Sequence, residues 1–466
     1  MRNGYDLAII GSGSAAFAAA IRATDLGASV AMVERGTVGG TCVNVGCIPS
    51  KAELAAAAQR HRARHNPFPG ITTSADGLDA AALVAGKDEL VRSLRQEKYL
   101  DLVEHYGFEL LQGTAGFTGP ETLAVDGEPL QAERYLIATG ASPALPPIEG
   151  LAEAGYLTST SALELSELPR RLVVVGGNYV GLELAQLFSR LGVQVTLLEA
   201  LERVAPFEEP QASAVLAEVF AEEGIEVVTE ALVERVERRG ADKIVLARIG
   251  GEERSFAADE LLIATGRSAN TELLALDKAG VRTNERGQVE IGPTLRTANP
   301  RVFAAGDVTS APQFVYVAAQ MGATAAQNAL RDDERTIDYA ALPRITFTSP
   351  QIAAVGLTDE QAREQGLDCA CRTLPLEHVP RALVERDTRG LVKLVVERAN
   401  RRVVGATVVA DGAGDVILAG VYAVQFGLTL DQITATWAPY LTMSEGFKLA
   451  AQTFDREVAH LSCCAA

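Results

Sequence analysis

Four of the six cysteines in this 466-residue chain fall into two close pairs. Cys42 and Cys47 lie in the run GGTCVNVGCIPSK (39–51), and Cys463 and Cys464 are adjacent in LSCCAA, two residues from the end. Close thiols can staple a fold, exchange two electrons or hold a soft metal ion. Adjacent cysteines close a disulfide only by straining the peptide between them. Cys463 and Cys464 therefore read as open thiols, on a chain end where stabilising cross-links are of little use. Pro49 suits the first position of a helix running on through Ala52–Ala55. That puts Cys47 near a helix N-terminus, where the partial positive charge favours a thiolate, and Lys51 adds a full charge one turn on. A low-pKa thiol beside a partner is a two-electron redox device; the bland alternative is an inert pair.

Elements must position these sulfurs, and the chain is long enough for about three domains with cores of their own. Its net charge of −18 argues against a nucleic-acid partner, which needs clustered Lys and Arg. No apolar run approaches the ~20 residues needed to span a bilayer. The stretch Leu7–Ile21 is broken by Gly11 and Gly13 and lacks a basic flank, so it reads as strand, turn and helix rather than a leader. A cytoplasmic protein is expected, and there close cysteines are catalytic or metal-binding more often than structural.

The strand from Asp6 to Ile10 meets Gly11-Ser12-Gly13-Ser14-Ala15-Ala16 and an Ala-rich helix, and a second strand, Ala28–Val33, ends at Glu34. This is the dinucleotide fingerprint in its proper setting. Gly11, Gly13 and Ala16 let backbone approach a pyrophosphate, and Glu34 can accept from a ribose. The pattern returns at Arg171–Val175, Gly176-Gly177-Asn178-Tyr179-Val180-Gly181, a helix through Leu191, and a strand Gln194–Leu198 closing on Glu199. Asn178 stands where a glycine is usual, and a positive φ is expected there. Two strands end alike, at Thr139-Gly140 and Thr265-Gly266, and Val302–Ala305 leads to Gly306-Asp307. Ligands gather at such C-terminal strand ends. From Ile337 the texture changes to strands at Arg344–Thr348, Leu391–Glu397 and Val403–Val409 with helices at Asp415–Phe426 and Ser444–Thr453, a separate α+β domain. Residues 63–77 read as a surface loop.

The cysteine run, both fingerprints, the paired ATG strands and AAGD together resemble the flavin-dependent pyridine-nucleotide disulfide oxidoreductases, over essentially the whole chain. The fold implied is α/β: two Rossmann-like dinucleotide-binding domains, for FAD (1–145 and 269–335) and NAD(P)H (146–268), plus a C-terminal α+β dimerisation domain (336–466). The resemblance implies that Cys47 faces the flavin and Cys42 performs exchange. It sets Lys51 by the flavin, Gly36 and Thr41 along FAD, and Asp307 on its ribityl–phosphate portion. It matches Ala115 and Val315 to further FAD backbone contacts, Thr139 and Gly140 to the FAD side, Gly176, Gly181, Glu199 and Gly266 to NAD(P)H, and Tyr179 to the cover of the nicotinamide pocket.

Disulfide-reducing members of that family carry a histidine, from the partner subunit, that protonates the leaving thiolate. Here Tyr440 stands in its place in APYLTMSEG, with Glu445 retained. Tyrosine, with a pKa near ~10, is a poor proton shuttle at neutral pH. PYLTMSEG, PQFVYVAAQ, VPRAL…DTRG and LSCCAA are similar to the mercuric reductases. That resemblance implies a homodimer in which Cys463 and Cys464 of one subunit pass Hg(II) to Cys42 and Cys47 of the other, with Tyr179 and Tyr440 lining the path. It implies FAD and NAD(P)H as cofactors and Hg(0) as product. Many mercuric reductases carry an N-terminal metal-binding domain with its own C-x-x-C; none is expected here, so delivery is expected to rest on the tail. Glu199 suits a free ribose 2′-hydroxyl, Arg203 partly offsetting it, so NADH is expected to serve at least as well as NADPH. The alternatives are a dihydrolipoamide dehydrogenase-like or other disulfide reductase, and a non-catalytic thiol protein that binds heavy metals. Cys369 and Cys371 share one face of a strand; a further metal site or ordinary small residues would explain them, and the latter is favoured. His460 reads as a surface histidine and Trp437 as interface packing.

Overall fold

The computed structural model describes residues 4–460; Cys463 and Cys464 lie outside them. A parallel five-stranded sheet, in the order Val302–Ala304, Ala132–Ile137, Tyr5–Ile10, Val30–Glu34, Glu109–Gln112, forms the first unit. Leu7, Ala8 and Ile9 are wholly buried, because both faces of the sheet are covered. The helices Ser14–Asp25 and Val315–Arg331 pack on one face, and the antiparallel strands Ala115–Gly119, Thr122–Val125 and Glu128–Leu130 lie on the other. Alanines at 15, 16, 19, 20 and 23 bury the first helix. Their small size lets the two helices approach until a Cβ on Gly322 would lie 2.0 Å from Ala15 O.

The second unit repeats the plan. Parallel strands run in the order Glu226–Val228, Gln194–Leu198, Arg171–Val175, Glu260–Ile263. The helix Tyr179–Leu191 packs on one face. An antiparallel sheet of Leu232–Arg239, Asp242–Ile249 and Glu252–Ala258 covers the other. Strands Ala141–Pro143 and Arg267–Ala269 pair where the chain crosses between the two units.

The third unit is an antiparallel sheet in the order Pro343–Thr346, Gln351–Gly356, Val403–Ala410, Leu391–Glu397, Cys369–Pro375. Helices Ala413–Gln425 and Glu445–Gln452 cover it. Lys393 is buried in it and reaches Glu209 of the second unit at 2.6 Å. Removing one partner of such a buried pair costs about 3–5 kcal/mol, because the other charge is stranded.

Two local expectations change. The helix after the first cysteine pair begins at Cys47, so Pro49 is its third residue rather than its first. Its missing N–H still costs nothing there, since the first-turn amides lack helical partners anyway. Asn178 is extended (φ −111°), and the positive φ falls on Gly176 at 109°. The second fingerprint position therefore needs no left-handed backbone, which is why a residue with a Cβ is accepted.

Candidate active site

Cys42 sits in the short helix Gly40–Asn44 and Cys47 opens the helix Cys47–Arg64. Gly39 and Gly40 both have positive φ, 107° and 65°, which turns the chain sharply into the first cysteine. A Cβ on Gly40 would lie 2.6 Å from the Cα of Gly13. The thiol-bearing turn is thus docked, backbone on backbone, against the first fingerprint. Both cysteines are partly buried free thiols, hydrogen-bonded to one another. That bond is the main reason the Cys47 pKa falls to about 7; burial opposes the shift and Lys51 assists it. Cys42, whose proton serves the bond, is pushed up. The pairing favours the thiolate on Cys47, with Cys42 as its donor.

Lys51 is held where it can act. Its Nζ lies 2.7 Å from Glu183 Oε2 and 4.6 Å from the centre of the Phe347 ring. The other oxygen of Glu183 accepts from Phe347 N at 2.9 Å. Glu183 belongs to the second fingerprint helix and Phe347 to the third unit, so all three units meet behind the thiols.

The first fingerprint fits a dinucleotide. Gly11 has φ 109°, and a Cβ there would strike Ala138 O at 2.4 Å. Ala16 is fully buried beneath the turn. The helix starting at Ser14 has no side-chain cap, leaving its first amides for an anion. Glu34 ends its strand with Oε1 accepting from Gly36 N at 2.6 Å and Oε2 accepting from Ser12 Oγ at 2.6 Å. Asp307 is partly buried, which raises its pKa, and the guanidinium of Arg267 opposes that rise. Arg267 also feels the charge of Cys47 and lies 3.5 Å from Thr41 Oγ1. Thr139 Oγ1 donates to Asn270 O at 2.7 Å, and Gly140 turns with φ 67°. Ala115 is the buried first residue of its strand, and Val315 opens its helix 38 % exposed.

The second fingerprint fits as well. A Cβ on Gly181 would lie 1.8 Å from Gly176 O. The helix from Tyr179 is likewise uncapped, and the buried Oδ1 of Asn178 has no partner. Glu199 accepts from Gly177 N at 2.5 Å and from Leu201 N at 2.8 Å. Gly266 turns with φ 126° at the end of the neighbouring strand. Tyr179 donates from Oη to Glu208 Oε1, and its ring lies 6.2 Å from that of Phe314. Burial, and then Glu208, raise its pKa.

Tyr440 lies between the helices Leu430–Ala435 and Glu445–Gln452 and is 59 % exposed. Among the described residues no three His, Cys, Asp or Glu side chains are grouped to hold a metal ion. Sequence reading missed Glu183, Glu208, Arg267 and Arg344, whose guanidinium pairs with Glu208. None stands in a short motif; only the conjunction of distant segments reveals them.

The profile of the pyridine nucleotide-disulphide oxidoreductases matches residues 5–322, and that of their dimerisation domain matches 342–451. The chain belongs to this family. Its curated relatives include the mercuric reductases of Streptomyces lividans, 56 % identical over 99 % of this chain and 98 % of that one, and of Staphylococcus aureus, 51 % identical over 99 % and 84 %. The mercuric reductase of Shigella flexneri is 44 % identical over 98 % and 82 %. Among solved structures, the Cu(II) complex of the HOCl-induced flavoprotein disulfide reductase RclA from Escherichia coli is 31 % identical with a TM-score of 0.87, covering 97 % of this chain and 100 % of that one. As a family member the chain is an FAD- and NAD(P)H-using flavoprotein with a dimerisation domain. No described helix is long and apolar enough to cross a membrane.

Proposed function

We propose that this chain reduces Hg(II) to Hg(0) with NAD(P)H as electron donor, as a homodimer in the cytoplasm. The observation that carries the reading is identity of 51–56 % over 99 % of the chain to mercuric reductases, combined with a free, hydrogen-bonded Cys42–Cys47 pair in which Cys47 is held below the ordinary thiol range. The balance is one nicotinamide hydride and one Hg(II) in, one oxidised nicotinamide, one proton and one Hg(0) out.

FAD, when bound, relays two electrons from the nicotinamide to the substrate cation. The residues we assign to hold it are Gly11, Gly13, Ala16, Glu34, Gly36, Thr41, Lys51, Ala115, Thr139, Gly140, Asp307 and Val315, in a domain of residues 1–145 and 269–335. Gly176, Gly181, Glu199 and Gly266 are assigned to NAD(P)H in residues 146–268, with Tyr179 over the pocket. Cys47 binds the cation as thiolate; Cys42 joins it on losing its proton, and a soft ion held by two sulfurs needs no leaving-group acid. Lys51, fixed by Glu183, keeps positive charge beside the pair. Residues 336–466 are assigned to the dimer interface. An exposed row of Leu418, Tyr422 and Phe426, with the 96 % exposed Trp437, supports that assignment. Tyr440, Cys463 and Cys464 are assigned to the partner's site, where the tail delivers mercury.

The test is NAD(P)H-dependent loss of Hg(II) from solution under excess thiol, repeated with Cys463→Ala/Cys464→Ala. Wild type should release elemental mercury, and the tail variant should fall well below it. Rapid turnover of a small organic disulfide with no mercury released would favour a disulfide reductase instead. Mercury binding without nicotinamide oxidation would favour a sequestering protein.

A further inference from the structure

Cys369 and Cys371 take no part in the chemistry above. They begin the strand Cys369–Pro375, which ends the order of the third sheet and pairs on one side with Leu391–Glu397. Cys369 stands opposite Glu397 and Cys371 opposite Val395. Side chains two apart on a strand leave from the same face. Both are free and partly exposed. Carboxylates surround the pair, and one of them acts on both thiols. Asp359, at the start of the helix Asp359–Glu364, accepts from the Cys371 thiol and also acts on Cys369.

The spacing excludes one fate of the pair. Extended backbone puts residues i and i+2 about 6.6 Å apart, with parallel Cα–Cβ bonds. A disulfide needs Cβ atoms about 3.5–4.5 Å apart. These thiols therefore stay open while the strand persists. A metal bridge is less demanding. Two metal–sulfur bonds of about 2.3 Å in line span about 4.6 Å, a gap that inward-leaning thiols on this spacing can close. Hard and tetrahedral cations want more ligands, and the described residues offer no cluster of three. What remains is a cation content with two sulfurs.

We propose that Cys369 and Cys371 form a second thiol site that chelates one two-coordinate soft cation of the Hg(II) class on the sheet of the C-terminal unit. Two S–H bonds are lost, two metal–sulfur bonds form, two protons go to solvent and no electrons move. The site holds the cation without reducing it. Asp359, Asp368, Glu397 and Glu209 lie around the pair, against Arg398, Lys393 and the Arg363 that pairs with Asp359. This acidic excess draws a cation and disfavours free thiolates; burial and Asp359 push Cys371 up to about 12. Binding therefore tightens as pH rises, because protons are displaced.

The experiment uses flavin-loaded enzyme carrying Cys42→Ser, Cys47→Ser, Cys463→Ala and Cys464→Ala, titrated with mercuric chloride without nicotinamide. The expected result is one Hg(II) and two protons released per chain, with affinity at least tenfold weaker after either Cys369→Ser or Cys371→Ser. Two equivalents per chain would mean independent single thiols, and none would mean no site; either overturns the proposal. Should the fourfold variant misfold, the unaltered enzyme is treated with graded mercuric chloride, alkylated and mapped by peptide mass. Cys369 and Cys371 should become protected together, and protection of one without the other overturns the proposal. Neither readout measures reduction, so failure here leaves the catalytic reading standing.

Discussion

Tyr179 and Arg344 share one carboxylate: Glu208 Oε1 lies 3.2 Å from Tyr179 Oη and 3.2 Å from Arg344 Nε. The tyrosine assigned to cover the nicotinamide pocket is thereby tied to the first strand of the C-terminal sheet. Glu208 is nearly inaccessible and Arg344 mostly buried. Glu208→Ala should cost about 3 kcal/mol, because it strands the guanidinium, whereas Tyr179→Phe removes one hydrogen bond and should cost about 1 kcal/mol. Denaturant midpoints compare the two. Equal costs would show that the carboxylate does not serve as the arginine's counter-ion.

The low titration of Cys47 rests first on its hydrogen bond from Cys42. Cys42→Ala should move the Cys47 midpoint from about 7 up toward the ordinary thiol value of 9.0 and abolish mercury reduction. Lys51→Met should move it less, since the lysine is the smaller cause. Alkylation rate against pH reads both shifts. A midpoint still near 7 in Cys42→Ala would remove the hydrogen bond as the cause.

Glu53 is buried six residues along the helix from Cys47, with Oε1 unpartnered, and burial raises its pKa from 4.5 to about 7. The unfolded chain ionises first as pH rises. Stability from this group is therefore full below about 4.5 and is lost as pH rises to about 7. Glu53→Gln should change little at pH 4.5 and gain up to about 3 kcal/mol at pH 8. A gain independent of pH would point to packing instead.

Nicotinamide preference turns on the end of the strand Gln194–Leu198. Glu199 is 8 % exposed and already binds two backbone amides. Arg203 donates to Glu202 and to Pro206 O, so it is already engaged away from a 2′-phosphate. NADH should give kcat/KM at least equal to that of NADPH, and Glu199→Gln should narrow the difference. A large NADPH advantage in the unaltered enzyme would refute this.

The central strands of the two sheets that carry the fingerprints were legible because they are continuous apolar runs closed by glycine or by an acidic residue. Arg171–Val175 and Gln194–Leu198 lie where the pattern puts them. The helix Ala80–Arg95, capped by Asp79, and the antiparallel strands 232–258 were not read. They are amphipathic and polar on their outer faces, so no motif marks them. The thiols and their glycines stand within a few residues of each other and announce themselves. The groups that hold Lys51 beside them, Glu183 and Phe347, and the nearby Arg267 come from distant segments, and only tertiary contact collects them.

The contact of Gly40 with Gly13 leaves no side chain between the redox loop and the phosphate turn. A methyl added at Gly40 would lie 2.6 Å from the Gly13 Cα and must shove one segment off the other, whereas one at Gly13 would meet Gly40 at an ordinary 3.8 Å. The redox loop therefore cannot gain bulk at residue 40 unless the phosphate turn moves with it. Emptying the dinucleotide cleft would then loosen the sulfurs too, making their reactivity a gauge of whether the coenzyme is seated.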